Sequence, residues 1–123
     1  MEFLDLQIDE TDAIKRTVKT YDFPVVTFHK NGTIFAASFN RHARKALDNC
    51  EHVKIFANAE YIVFQPTDRK GPHTYKISYP PRGGGTLHCQ KLERFVLYGK
   101  TFKLYSTQKG LAIKLSEPIQ VRK

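Results

Sequence analysis

Apolar positions recur along most of the chain with a period of two, and short stretches with a period near 3.6 interrupt them. Leu4, Leu6 and Ile8 alternate with Phe3, Asp5, Gln7 and Asp9, the pattern of an edge strand with one wet, acidic face. Thr11 can cap a short helix that turns Ala13, Ile14 and Val18 inward and Lys15, Arg16 and Lys19 outward. The stretch from Phe23 to Pro66 organises the rest and reads strand, strand, helix, strand, strand. Residues 23–28 and 33–37 are apolar and β-rich. Between them His29-Lys30-Asn31-Gly32 contains Asn-Gly, a strong hairpin signal because both residues tolerate positive φ. In the helix from Phe39 to Asn49, Phe39, Ala43, Ala46 and Leu47 share one face, and Ser38 or Asn40 can cap it. Residues 53–56 and 60–64 then form a second hairpin around Asn58-Ala59.

Thr67 to His73 reads as a loop and Thr74 to Tyr79 as one more strand. Pro80-Pro81-Arg82-Gly83-Gly84-Gly85 is the clearest break, a hinge or an exposed loop. Beyond it, residues 87–98 are expected to form a helix with Leu92, Phe95 and Val96 inward. Residues 101–105 and 111–115 then form a hairpin around Thr107-Gln108-Lys109-Gly110. A shift of 49 residues sets Ala43 on Leu92, Leu47 on Val96, Val53 on Phe102 and Ile55 on Leu104. After a turn longer by two, Ile62 falls on Ile113 and Phe64 on Leu115. The expected fold class is therefore α+β. It combines antiparallel β-hairpins and short helices, built as two helix-hairpin repeats sharing one core. Residues 1–123 form a single compact domain, with internal halves 23–79 and 86–121 separated by the loop 80–85. Pro118 ends the last strand and a basic tail follows.

From Gly32 through Pro66 the order of elements resembles AbrB- and MazE-type swapped-hairpin DNA-binding domains, which run strand, short basic helix, then an alternating hairpin. The residues that carry the likeness are Thr33-Ile34-Phe35, Arg41, Leu47, Val53-Lys54-Ile55 and Ile62-Val63-Phe64. No Pro leads into the helix here, no Gly follows Leu47, and the span from Leu47 to Val53 is short. The resemblance covers under a third of the chain and implies a DNA-binding role for the helix.

Charge sharpens this picture. The chain of 123 residues carries a net charge of +8, but unevenly. Residues 1–12 hold five acidic side chains and no Lys or Arg. The other 111 hold all 20 basic and only seven acidic side chains, a net of +13. Basic charge at that density attracts polyanions: DNA, RNA or an acidic protein face. The acidic first strand can cover the basic body as an internal mimic of such a polyanion. The 15 aromatic residues suffice to fill a core, and no apolar run reaches the roughly 18 residues of a membrane helix. The acidic start is unlike a signal peptide, so Cys50 and Cys89 are expected as reduced thiols in the cytoplasm.

Three basic groupings are candidate nucleic-acid contacts. On the helix, Arg41, Arg44 and Lys45 can meet phosphates while His42 or Asn40 reaches a base edge. Arg69, Lys70 and Arg82 lie in loops, and the N–H groups of Gly83 to Gly85, ahead of the expected helix, can cradle a phosphate. On the last hairpin Lys103 and Tyr105 share the face opposite Phe102 and Leu104, with Lys100, Lys109, Lys114 and Tyr98 nearby. A face mixing Lys and Tyr can stack bases and neutralise phosphates. Cys50, His52, His88 and Cys89 make a zinc-like set, but without Cys-x-x-Cys spacing. The scattered acidic residues beyond the first strand carry no catalytic spacing, and no P-loop or Gly-x-Ser-x-Gly occurs.

These features lead to a non-enzymatic, cofactor-free, metal-free nucleic-acid-binding protein of the cytoplasm, a small regulator of bacterial, phage or mobile-element origin. Its partner is DNA or RNA, it has no membrane association, and it is a monomer or homodimer. The alternative is a protein-binding inhibitor or adaptor, such as a phage counter-defence (anti-CRISPR-like) protein acting on a host nuclease.

Overall fold

The computed structural model describes residues 21–96 and 98–119. The expected acidic edge strand, the Thr11-capped helix and most of the basic tail lie outside the described residues. Within them the first two hairpins read from the sequence hold with small shifts, whereas the third, expected between 101–105 and 111–115, forms from 105–107 and 110–112 because residues 101–103 pair elsewhere. Strand β1 (Val25–Asn31) turns into β2 (Ile34–Phe39) with Asn31 opposite Ile34. The corners of the turn are thus Gly32 and Thr33, one residue beyond the expected Asn-Gly. Gly32 adopts φ +62°, the positive φ that a two-residue hairpin loop demands at its first corner. Helix α1 (Arg41–Ala46) follows, then β3 (His52–Ala57) and β4 (Tyr61–Thr67). At the β3–β4 turn the Asn58 side chain accepts hydrogen bonds from the Glu60 and Tyr61 N–H groups, both at 2.8 Å. Strands β5 (Thr74–Ser78) and β6 (Gly85–His88) precede a 3-10 helix (Gln90–Arg94). Strands β7 (Thr101–Lys103), β8 (Tyr105–Thr107) and β9 (Gly110–Lys114) complete the described chain.

All pairings are antiparallel, in the order β7-β1-β2-β6-β5-β3-β4-β9-β8. The two ends of that order, β7 and β8, are separated in sequence by Leu104 alone. The segment Thr101–Thr107 therefore pairs with β1 through its first half and with β9 through its second. It brings the two edges of the sheet together, so the sheet curls into an all but closed barrel. Leu104 is 3% exposed and its N–H donates to the Pro24 carbonyl at 2.9 Å. Across the interior Phe39 of β2 meets Phe64 of β4 edge-on at 5.1 Å, although three strands lie between them on the shorter path round the sheet. Phe28 stacks on Phe35 and meets Phe102 edge-on. One apolar cluster draws on both sides of the Pro80–Gly85 break.

This barrel overturns the expected α+β class and its two helix-hairpin repeats. Among the described residues the only α-helix is α1, six residues long. The helix expected over residues 87–98 is instead β6 and the 3-10 helix. Leu87 and Cys89, two apart, are both buried, which is strand spacing. The Cys89 N–H donates to the Phe35 carbonyl and the Gln90 side chain accepts from the Phe35 N–H, so this segment continues the pairing of β6 with β2. Tertiary pairing has overridden a helical pattern there. Phe95, expected inward, is 40% exposed. The swapped-hairpin resemblance also stops at element order, because β2 pairs with β1 and β6 within this chain.

The Pro80–Gly85 segment is an exposed loop whose last glycines pack against β2. A Cβ on Gly84 would fall 1.5 Å from the Phe39 carbonyl oxygen, so the backbone runs against β2 where only glycine fits. Arg44 pins the same loop, donating through Nη1 to the carbonyls of Pro80 (2.7 Å) and Gly83 (3.4 Å).

Because Leu104 sits at the seam of the barrel, Leu104→Ala is expected to cost about 2–5 kcal/mol in urea unfolding. Ile34→Ala, at a half-exposed position, should cost less than about 0.5 kcal/mol. Equal losses would mean that the seam residue has no special role in holding the sheet together.

A candidate nucleic-acid interface on the outer sheet face

Four neighbouring strands, β3, β4, β9 and β8, place one outward side chain each in a single row. Phe56 pairs with Val63, Val63 with Ala112, and Ala112 with Tyr105. At strand spacing the row spans about 14 Å. Its floor is Val63 and Ala112, and aromatic rings stand at both ends. Tyr61, opposite Lys114 in the next row, adds a third ring. Together with Asn58, Thr107, Gln108, Lys109 and Lys114 these residues line a groove of ≈ 530 Å³. Phe56 is 48% exposed, Tyr61 43% and Tyr105 36%, so three large rings face solvent on one patch.

The strand alternation that buries Phe102 and Leu104 turns Lys103 and Tyr105 out, as their sequence positions require. The Lys103 ammonium lies 5.4 Å from the Tyr105 ring centroid and 5.1 Å from that of Phe23. Lys114 approaches the same Tyr105 ring at 5.0 Å. Two cations therefore stand over the Tyr105 ring, each contact worth about 0.5–1 kcal/mol at an exposed site. Cations over an aromatic face beside an apolar floor can accept a base on the ring and a phosphate at the rim.

The other basic groupings fare differently. Asn40 caps α1: its Oδ1 accepts from the N–H groups of Ala43 (2.9 Å) and Val25 (3.1 Å), and its Nδ2 donates to the Phe23 carbonyl (2.8 Å). The start of α1 and Lys103 thus share the Phe23–Val25 segment as an anchor. Arg41 and Lys45 are exposed, but Arg44 is engaged within the protein. Besides holding Pro80 and Gly83, it donates through Nε to Asn49 Oδ1 at 2.7 Å and stacks over Tyr79 at 4.8 Å. The His42 Nε2 is buried and has no hydrogen-bond partner among the described residues. Arg69 and Lys70 sit in the exposed β4–β5 loop, and Arg82 is exposed in the β5–β6 loop. Gly83 to Gly85 lead into β6 and not into a helix, so the expected phosphate cradle has no helix behind it.

His52 begins β3 two residues after Cys50, and His88 ends β6 just before Cys89, with β5 between those strands. The Cys50 thiol donates to the carbonyls of His52 and Thr67 at 3.1 and 3.0 Å, and Cys89 is buried in the core. Among the described residues no three His, Cys, Asp or Glu side chains gather as metal ligands, and no helix is long and apolar enough to cross a membrane.

Phe56, Tyr61 and Val63 were missed as site residues because they read as strand interior. The signal was present: Ile55-Phe56, Tyr61-Ile62-Val63-Phe64 and Leu111-Ala112-Ile113 break strict alternation, so both faces of these strands are apolar. No protein-family model, curated protein or solved structure matches this chain. The geometry therefore carries the functional reading by itself.

Tyr79, which backs Arg44, also reports on the fold. Its hydroxyl donates to the Cys50 carbonyl at 2.7 Å. Burial, reinforced by the Cys50 side chain and opposed by Arg44, pushes its pKa up to about 12 from 10.0. The fold holds the neutral phenol. Its contribution is complete below pH 10 and is lost as pH rises from 10 to 12. Tyr79→Phe should cost about 0.5–1.5 kcal/mol near neutral pH through the lost hydrogen bond. The gap between the two proteins in urea unfolding should narrow between pH 10 and 12. A gap that stays constant to pH 12 would contradict this assignment.

Proposed function

We propose that this protein binds single-stranded nucleic acid across the outer face of β3, β4, β9 and β8. The supporting observation is the cross-strand row Phe56–Val63–Ala112–Tyr105 with Lys103, Lys109 and Lys114 beside it. Bases of any sequence present a π-face, so exposed rings on a sheet capture unpaired bases with little sequence preference. Duplex bases are already stacked and cannot lie on Tyr105 or Phe56 without being splayed out. The net charge of +8 supplies long-range attraction, and the lysine rim supplies local phosphate contacts. Arg41 and Lys45 extend the basic surface from the Phe23–Val25 anchor, whereas Arg44 serves the fold.

The test is fluorescence anisotropy with a labelled 15-mer of deoxythymidine, the matching RNA and a duplex, across a salt series. Tyr105→Ala and Phe56→Ala should each weaken single-strand binding by about 1–3 kcal/mol, roughly 5- to 150-fold. Lys109→Ala and Lys114→Ala should each reduce the steepness of the log-log salt dependence by about 0.7. Arg44→Ala should lower stability and leave that slope unchanged. Tight duplex binding indifferent to Tyr105 and Phe56 would move the site to α1. An absence of salt-dependent binding to all three probes would refute the reading and direct attention to a protein partner.

A further inference from the structure

The described chain begins at the rim of this same groove. Tyr21 packs against Phe23, ring centroids 5.7 Å apart, and Lys103 bridges the Phe23 ring to the Tyr105 ring. The twenty residues that precede Tyr21 are therefore tethered beside the exposed aromatic row. Their composition complements it. Residues 1–12 carry Glu2, Asp5, Asp9, Glu10 and Asp12 without a single Lys or Arg, and Leu4, Leu6 and Ile8 recur at every second position. The groove offers an apolar and aromatic row about 14 Å long with lysines at its margins.

We propose that the acidic segment of residues 1–12 occupies the Phe56–Tyr105 groove and competes there with nucleic acid. The competition rests on the nucleic-acid reading above, but the contact itself does not. Residues 13–20 serve as a link in either form, eight residues spanning about 12 Å as the helix expected there and up to about 28 Å extended. A tether of that length holds the segment at an effective concentration of about 1 mM, so a weak contact suffices to occupy the site. Leu4, Leu6 and Ile8 cover Val63, Ala112 and the two terminal rings. The carboxylates meet Lys103, Lys109 and Lys114, whose long stems let their ammonium groups turn toward the segment. A polyanion displaces it by offering more charges to the same lysines. Binding thereby acquires a threshold: short or sparsely charged anions compete poorly with the segment, and a continuous strand displaces it.

The chain has no tryptophan, so Phe56→Trp places a single indole at the groove without removing the aromatic ring. Three full-length proteins are compared, all carrying this change. The first keeps the native acidic segment. The second neutralises it by Glu2→Gln, Asp5→Asn, Asp9→Asn, Glu10→Gln and Asp12→Asn. The third keeps every charge and carries Leu4→Ser, Leu6→Ser and Ile8→Ser. Indole emission and iodide quenching are read without nucleic acid, and affinity for the deoxythymidine 15-mer is read separately. The expected result is a shielded, blue-shifted indole in the first protein and a water-exposed one in the other two. Affinity should rise about tenfold in both, the third showing that the gain is not a mere change of net charge. A shielded indole that both variants release, with no 15-mer bound by any protein, would uphold the contact and sink the nucleic-acid reading. An indole equally exposed in all three, with equal 15-mer affinity, would overturn the contact and leave the nucleic-acid reading standing.

Discussion

The structure depends on one seven-residue segment that must satisfy two sheet edges at once. An open antiparallel sheet of this size would leave β1 and β9 with unpaired N–H and C=O groups along its rims. Thr101–Thr107 serves both, its first three residues on β1 and its last three on β9, with Leu104 between them. The segment is sealed further by the Ile119 N–H, which donates to the Thr101 carbonyl at 2.7 Å, and by the bridge between Phe102 and Pro118. Closure leaves the alternation along the segment no freedom. Phe102 and Leu104 must fill the interior, so Lys103 and Tyr105 must face water on the side where Phe23 enters and the apolar row ends. The candidate site is thus a consequence of how the barrel shuts.

The same constraint explains what could be read from the residues and what could not. Hairpins are local, and their signals stood in the sequence at Gly32, Asn58 and Gly110. The outward pairing of Lys103 with Tyr105 was legible too, because a period of two needs no knowledge of neighbours. Closure was not legible. Nothing in Thr101–Thr107 announces two different partners, one 78 residues upstream, where Val25 faces Lys103, and the other immediately downstream. The apparent duplication has a plain physical origin. Two hairpins that each bury one face in the same barrel acquire matching alternation, as Ile62 and Ile113 show by pairing directly across β4 and β9. The helical half of each repeat had no such support. Leu92 and Val96 have helical spacing and are buried, yet Gln90 and Cys89 are tied to Phe35 and only a 3-10 helix fits.

Arginine 44 shows why charge alone is a poor guide to a binding site. In the sequence it is one of four basic residues on a short helix, indistinguishable from Arg41 and Lys45. In the fold its planar guanidinium meets two loop carbonyls, an asparagine oxygen and a tyrosine ring. A lysine offers a point charge and no such fork. Lys30 is likewise occupied, paired with Glu93 at the surface, which raises its pKa without adding much to stability. The cations beside the exposed rings are on β7, β9 and the β8–β9 turn, and of these Lys114 also stands 3.9 Å from the Glu117 carboxylate at the surface.

Aromatic groups facing water on a nearly closed barrel carry a cost that polar residues would not. Phe56, Tyr61 and Tyr105 contribute little to the core, and their exposed rings invite association between copies. The basic charge counters that tendency, since two such faces repel each other through Lys103, Lys109 and Lys114. The arrangement therefore favours a partner that is both π-rich and anionic over a second copy of the same face. Nucleic acid has that combination along its whole length. In the contact proposed above, the acidic segment would offer the anionic half with aliphatic side chains in place of bases, as suits a competitor displaced by a longer polyanion.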